Sequence, residues 1–162
     1  MKTIAELNVP ESWEEVTYSQ AVKLFNIEDE VQLINVLCST DKAEEIKFND
    51  VEEILHCLKF VDDMSIFTDE QPMAKYMDFD FGGQSFKTVK DVETIFKENK
   101  DKRAFDIMPL ILKRLIGIDI SNKPVKEWIG TANFFLFKSL IFLTNLKGYQ
   151  KERQVQKKLK LD

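Results

Sequence analysis

Residues 133–146 read NFFLFKSLIFLTNL, and the fold turns on how that stretch is buried. Phe134, Phe135, Leu136 and Phe137 are consecutive, and Leu140, Ile141, Phe142 and Leu143 follow one turn later. A helix built from them is apolar all round its axis, so it is either surrounded by its own domain or partly covered by another chain. Burial within the domain is the default fate of apolar surface, which favours a central core helix. Pro124 begins this longest helix, which runs through Trp128 to about Leu146, with a continuation into the C-terminal tail left open. Asn133, Lys138 and Asn145 interrupt the apolar window. It falls short of the ~18 uninterrupted apolar residues of a membrane span, so no membrane association is expected.

Upstream, shorter helices supply the cover. Residues 1–16 read as an irregular or extended lead-in, with Pro10 breaking any helix and Trp13 as an apolar anchor. Thr17 followed by Gln20 is a capping-box pattern opening a short helix with Ala21, Val22, Leu24 and Phe25. A second helix is expected from about Glu28 to Cys38. Asn49 with Glu52 is another cap pattern, ahead of Val51, Ile54, Leu55 and Leu58 at helical spacing. Thr88 and Asp91 start a helix with Val89, Val92, Ile95 and Phe96 as its buried stripe. Asp106 can cap a further helix that places Pro109 in the first turn, and Gly117 ends it.

One segment reads differently. In KYMDFDFGGQSFKTV, residues 75–89, Met77, Phe79 and Phe81 alternate with Tyr76, Asp78 and Asp80. Gly82-Gly83 supplies the residues a two-residue hairpin turn needs, and Phe86 resumes on the returning strand. A lone hairpin is marginal in water, so its Phe face must lie against helices or another chain. The expected fold is mainly α with one small β-hairpin near 75–88. Five to six helices form a compact bundle around the Phe-rich C-terminal helix. Residues 1–146 are read as a single domain and 147–162 as a basic tail.

The composition, 44% hydrophobic and 31% charged, is that of a globular chain and not a disordered one. Thirteen phenylalanines make Phe the dominant bulky residue, and those rings must be packed or offered to a partner. The N-terminus MKTIAELNVPESWEE has no apolar region and turns acidic early, unlike a signal peptide. Cys38 and Cys57 are expected to be reduced thiols in an intracellular compartment. The tail carries Lys147, Lys151, Arg153, Lys157, Lys158 and Lys160 against Glu152 and Asp162, a balance of +4 that leaves −9 for the rest of a chain of net charge −5. An acidic body argues against duplex nucleic-acid binding by that body, because phosphates need cations. The tail itself reads equally as a solvated helix end or as a docking arm.

No catalytic constellation emerges. His56 is the single histidine, and its neighbour Cys57 points about 100° away on a helix, out of reach as a nucleophile. Zinc sites want four Cys or His ligands, and three such residues exist in total. Asp62, Asp63, Asp69 and Glu70 lack the spacing of a calcium loop. Asp78 and Asp80 could hold a divalent cation, but alternation with Phe more often marks the wet side of a strand. No phosphate-binding glycine loop, GxSxG or helix-turn-helix pattern occurs. No catalytic, cofactor-binding or metal-ligating residue is assigned, and the chain is not expected to be an enzyme.

The order of elements carries a resemblance. VPESWEEVTYSQAVKL opens the chain, short Leu- and Ile-rich helices follow, then FDFGGQSF, and lastly a helix with NFFLF. In this order the chain is similar to small proteins encoded among the virion genes of tailed bacteriophages, particularly those of Bacteroidetes hosts, described as tail assembly chaperones or minor virion components. The resemblance implies a non-enzymatic role in binding other phage structural proteins, with several copies arranged around a ring or tail, in the host cytoplasm and in the virion. The basic tail lies outside that order. Trp128, Phe134, Phe137, Phe79, Phe81, Lys157, Lys158 and Lys160 are the candidate partner-binding residues. The alternative reading is an acidic regulator or inhibitor that mimics nucleic acid and occupies a basic protein surface.

Overall fold

A computed structural model describes residues 1–67 and 73–159, and among these the chain is mainly α-helical with one small antiparallel β-hairpin. The order is β1 (Lys2–Ile4), β2 (Leu7–Val9), α1 (Tyr18–Leu24), α2 (Glu30–Leu37), α3 (Phe48–Cys57), α4 (Phe86–Glu98), α5 (Ala104–Ile116) and α6 (Val125–Leu159). Short 3-10 turns lie at Trp13–Glu15, Ala43–Glu45, Leu58–Asp62 and Ser65–Phe67. Residues 1–146, expected as one domain, cluster with the tail into two compact units. Unit 1 is Met1–Lys75 with Asp119–Thr131, and unit 2 is Tyr76–Ile118 with Ala132–Asp162.

The hairpin of unit 1 was not legible in the lead-in. Its register pairs Lys2 with Val9, Thr3 with Asn8 and Ile4 with Leu7. Ala5 and Glu6 make the turn at φ 47° and 65°, a left-handed conformation that usually calls for Asn or Gly. Ile4 and Val9 turn inward, beside a core of Tyr18, Ala21, Ile34, Leu37, Ile54 and Leu58. The Thr17 cap forms as expected. Its hydroxyl accepts the Gln20 N–H, and the Gln20 side chain accepts the Thr17 N–H at 2.9 Å. Residues 119–131 close the unit: Tyr18 N–H donates to Lys123 C=O and Val125 N–H to Val16 C=O, both at 2.8 Å.

Trp13 anchors the unit's aromatic cluster. Its indole donates to the Asp63 carbonyl at 3.0 Å, and its ring meets Phe60 and Phe67 edge-on at 5.3 and 5.4 Å. The cap expected from Asn49 and Glu52 is not there. Helix α3 begins at Phe48, and its N-cap is Lys47, whose backbone is extended and whose side chain makes no cap hydrogen bond.

In unit 2 the hairpin expected at 75–88 is corrected to a turn-rich loop. Tyr76 sits at φ 60°, which breaks an extended strand, and the Phe79 N–H donates back to the Tyr76 carbonyl. The Asp80 carboxylate accepts the Gly83 N–H at 3.0 Å, so a side chain takes a donor that a strand ladder would have used. Neither Gly82 nor Gly83 is at positive φ. A Cβ at 83 would meet the Asp80 carboxylate, which would have to move off the Gly83 N–H. The expectation that the Phe rings lie against a helix holds: Phe79 and Phe81 pack on Phe135 of α6 at 5.1 and 5.5 Å between ring centres.

Helix α4 starts three residues earlier than its sequence signal, because Ser85 accepts the Thr88 N–H at 3.1 Å. Helix α5 also starts early. Asp106 accepts the Arg103 N–H at 3.0 Å from the third helical position, which leaves Pro109 in the helix interior and not in the first turn. Gly117 ends α5 at φ 74°, as expected. Arg114 of α5 pairs with Asp91 of α4 at 2.8 Å. Val89, Val92, Ile107, Met108, Ile111, Leu112, Phe135 and Leu143 form the unit's core. Ser139 is buried with its hydroxyl unpartnered, beside a cavity of about 20 Å³ lined by Phe81, Val89, Val92 and Phe142.

Phe135 is fully buried among rings, whereas Phe137 two residues on is 62% exposed. Phe135→Ala is expected to cost about 3–5 kcal/mol, and Phe137→Ala to stay within about 0.5 kcal/mol. Urea unfolding followed by far-UV circular dichroism checks both, since Trp13 and Trp128 lie in unit 1 and their fluorescence does not report unit 2. Equal losses would overturn the assignment of faces on α6.

Candidate interaction surface

Helix α6 begins in unit 1, where Trp128 to Thr131 are all buried, and continues in unit 2, where Ala132, Phe135, Ser139 and Leu143 are buried at intervals of three and four. Phe137, Leu140 and Ile141 fall on the opposite side of the unit 2 portion and stand 62%, 46% and 42% exposed. Thr144, Gly148 and Lys151 continue that exposed line by the same spacing. Three large apolar side chains, contiguous on one helix face and exposed, form the kind of patch that marks a protein contact. Lys138 sits beside them, with its ammonium 5.8 Å from the Phe134 ring centre.

The sequence-stretch candidates divide sharply. Phe137 is exposed. Phe134 is half-buried and edge-on to Phe135 at 5.5 Å. Phe79 and Phe81 are half-buried, with rings 4.8 Å apart, and are occupied with Phe135. Trp128 is buried in unit 1, where Lys75 places its ammonium 4.4 Å over the ring and donates to Glu127 at 3.3 Å. Its ring serves the core and offers no open face. Helix α6 does run on into the basic tail as far as Leu159, but the side chains of Lys157 and Lys158 and all of Lys160 lie outside the described residues. Leu140 and Ile141 were not among the candidates, because a run apolar on every side does not show which side stays open.

The groove on the polar side of unit 1 gives chemistry little to work with. It is an open groove of about 690 Å³ in unit 1, lined by polar groups including Asn8, Thr17, Ser19, Gln20 and Asn35. Glu15 is the one carboxylate among its lining residues, and it pairs with the N-terminal ammonium. The Gln20 amide donates to the Val36 and Leu37 carbonyls at 3.1 and 3.0 Å, so its polarity is used to tie α1 to α2. Among the described residues no group of three or more His, Cys, Asp or Glu could hold a metal ion. Asp78 and Asp80 do not share a strand face, and Asp80 is engaged with Gly83. His56 is exposed. No helix among the described residues is long and apolar enough to cross a membrane.

Compared with protein-family models, curated proteins and solved structures, the chain matches none.

Both cysteines are free thiols, Cys38 buried and Cys57 half-buried. Burial pushes the Cys38 thiol up to about 11, with the nearby Cys57 adding to the shift. The folded state therefore disfavours the Cys38 thiolate, and that contribution to stability is complete below the ordinary thiol range and is lost as pH rises towards 11. Alkylation at about pH 8 is expected to label Cys57 first, with Cys38 reacting on unfolding or as pH approaches 11. Mass spectrometry of the labelled peptides reads the order, and equal rates would contradict the burial of Cys38.

Proposed function

We propose that this chain is a non-enzymatic protein–protein interaction protein, an assembly or minor structural component of a tailed bacteriophage particle. The exposed Phe137–Leu140–Ile141 face of α6 carries the interaction reading. The phage assignment rests on the resemblance in the order of elements, with action in the host cytoplasm and in the virion. A buried Phe or Leu side chain contributes about 1.5–3 kcal/mol of transfer free energy, so three together are enough to anchor an interface core surrounded by polar contacts.

Co-expression with the tail and capsid proteins of a tailed bacteriophage, followed by affinity capture, tests the reading. The wild-type chain is expected to co-purify with at least one of them. Leu140→Asp, on an exposed position, is expected to reduce capture about tenfold or more with an unchanged circular dichroism spectrum. Failure to bind any of those proteins sinks the proposal.

A second reading, the acidic nucleic-acid mimic, is favoured by the charge of unit 1. That unit holds eight lysines against nineteen carboxylate side chains, a net charge of −11. It predicts binding to a nuclease or polymerase that weakens steeply between about 50 and about 500 mM salt. Affinity indifferent to ionic strength removes it.

A further inference from the structure

The boundary between the units is also a boundary of charge. Unit 1 carries −11, while unit 2 holds fifteen lysines and arginines against nine carboxylates, a net of +6, and together they make the −5 of the chain. Each unit exposes bulky apolar side chains within its own sign of charge. In unit 1 Phe48 opens α3 and is 74% exposed. Glu52 lies one turn along the same helix face, and Glu44 and Glu45 are exposed just ahead of it, outnumbering the exposed Lys47 between them. In unit 2 the exposed trio Phe137, Leu140 and Ile141 has Lys138 beside it and Lys147 and Lys151 exposed further along α6.

We propose that copies of this chain associate head to tail, the Phe137–Leu140–Ile141 face of one copy seating against Phe48 and its acidic surround on the next. The proposal rests on the interaction reading above and names a second copy of the chain as the occupant. Apolar contact supplies the affinity, and the opposed charges steer the encounter and fix which surfaces meet. A symmetric pairing through either surface would set Lys138 against its own copy, or Glu44, Glu45 and Glu52 against theirs, which is repulsive. A heterologous contact leaves one unused surface at each end of the assembly, so it grows until a ring closes or a filament forms.

Sedimentation velocity on the full chain tests this. At about 50 mM salt the wild type is expected to form species whose mass rises with concentration, and at about 500 mM salt to run as a monomer. Phe137→Asp and Phe48→Asp, both at exposed positions, are each expected to be monomeric alone. Mixed, they are expected to form a heterodimer, because each retains the surface the other has lost. Circular dichroism confirms that the variants fold, and Leu140→Asp replaces Phe137→Asp if that variant does not. A monomeric wild type at low salt, oligomers indifferent to salt, or no heterodimer in the mixture overturns the proposal. So does binding of monomers to phosphatidylserine vesicles through the same face. A monomeric chain that still captures a phage protein removes self-association and leaves the interaction reading standing. A self-associating chain that captures none does the reverse.

Discussion

The ring of Phe135 is the fixed point of unit 2. It is fully buried, with Phe79, Phe81 and Phe134 each within 5.5 Å between ring centres. Once that ring points inward, helical geometry settles the rest of the segment: Ser139 and Leu143 follow it into the core, and Phe137, Leu140 and Ile141 must face away. The loop at 76–85 is organised by the same ring, because its two phenylalanines gain more by packing on Phe135 than a two-stranded ladder in water would give them. The apolar-all-round sequence is thus partitioned. One side is the unit's core and the other is open surface.

Where the fold was legible, a side chain and a backbone donor stood at a fixed short spacing. Thr17 with Gln20 and Gly117 after α5 mark boundaries whose chemistry is complete within four residues. The reading failed where two local signals competed or none existed. Gly82-Gly83 resembles a hairpin turn, yet Asp80 reaches the same backbone N–H first. The real hairpin turns at Ala5-Glu6, two residues with no preference for positive φ, held there by the burial of Ile4 and Val9 on its strands. Such a turn is dictated by packing and leaves no mark in composition.

The interaction surface was half legible. The aromatic excess pointed to α6, and Phe137 was among the candidates, but spacing gives no phase to a run with apolar residues at every position. Trp128 was among the candidate partner-binding residues, whereas Lys75 and the core of unit 1 claim it. The charge asymmetry was visible as a basic tail on an acidic body. The line between the two units leaves unit 2 only slightly basic outside that tail, since Tyr76–Ile118 holds eight lysines and arginines against seven carboxylates. That line could not be drawn before the chain was known to return to unit 1 at Asp119.

The coexistence of exposed apolar groups and segregated charge limits what the surface can do. An apolar patch alone binds without discrimination and invites aggregation, while charge alone steers without holding, since exposed ion pairs contribute about 1 kcal/mol or less. Placed together, they would make the proposed contact directional: Lys138 beside Phe137 would disfavour another basic face and admit an acidic one. The acidic collar of Phe48 has the matching sign and a matching aromatic centre. Under the head-to-tail proposal, a chain that carries both halves of such a pair would need no second gene product to begin assembling, with concentration and ionic strength together setting whether it does.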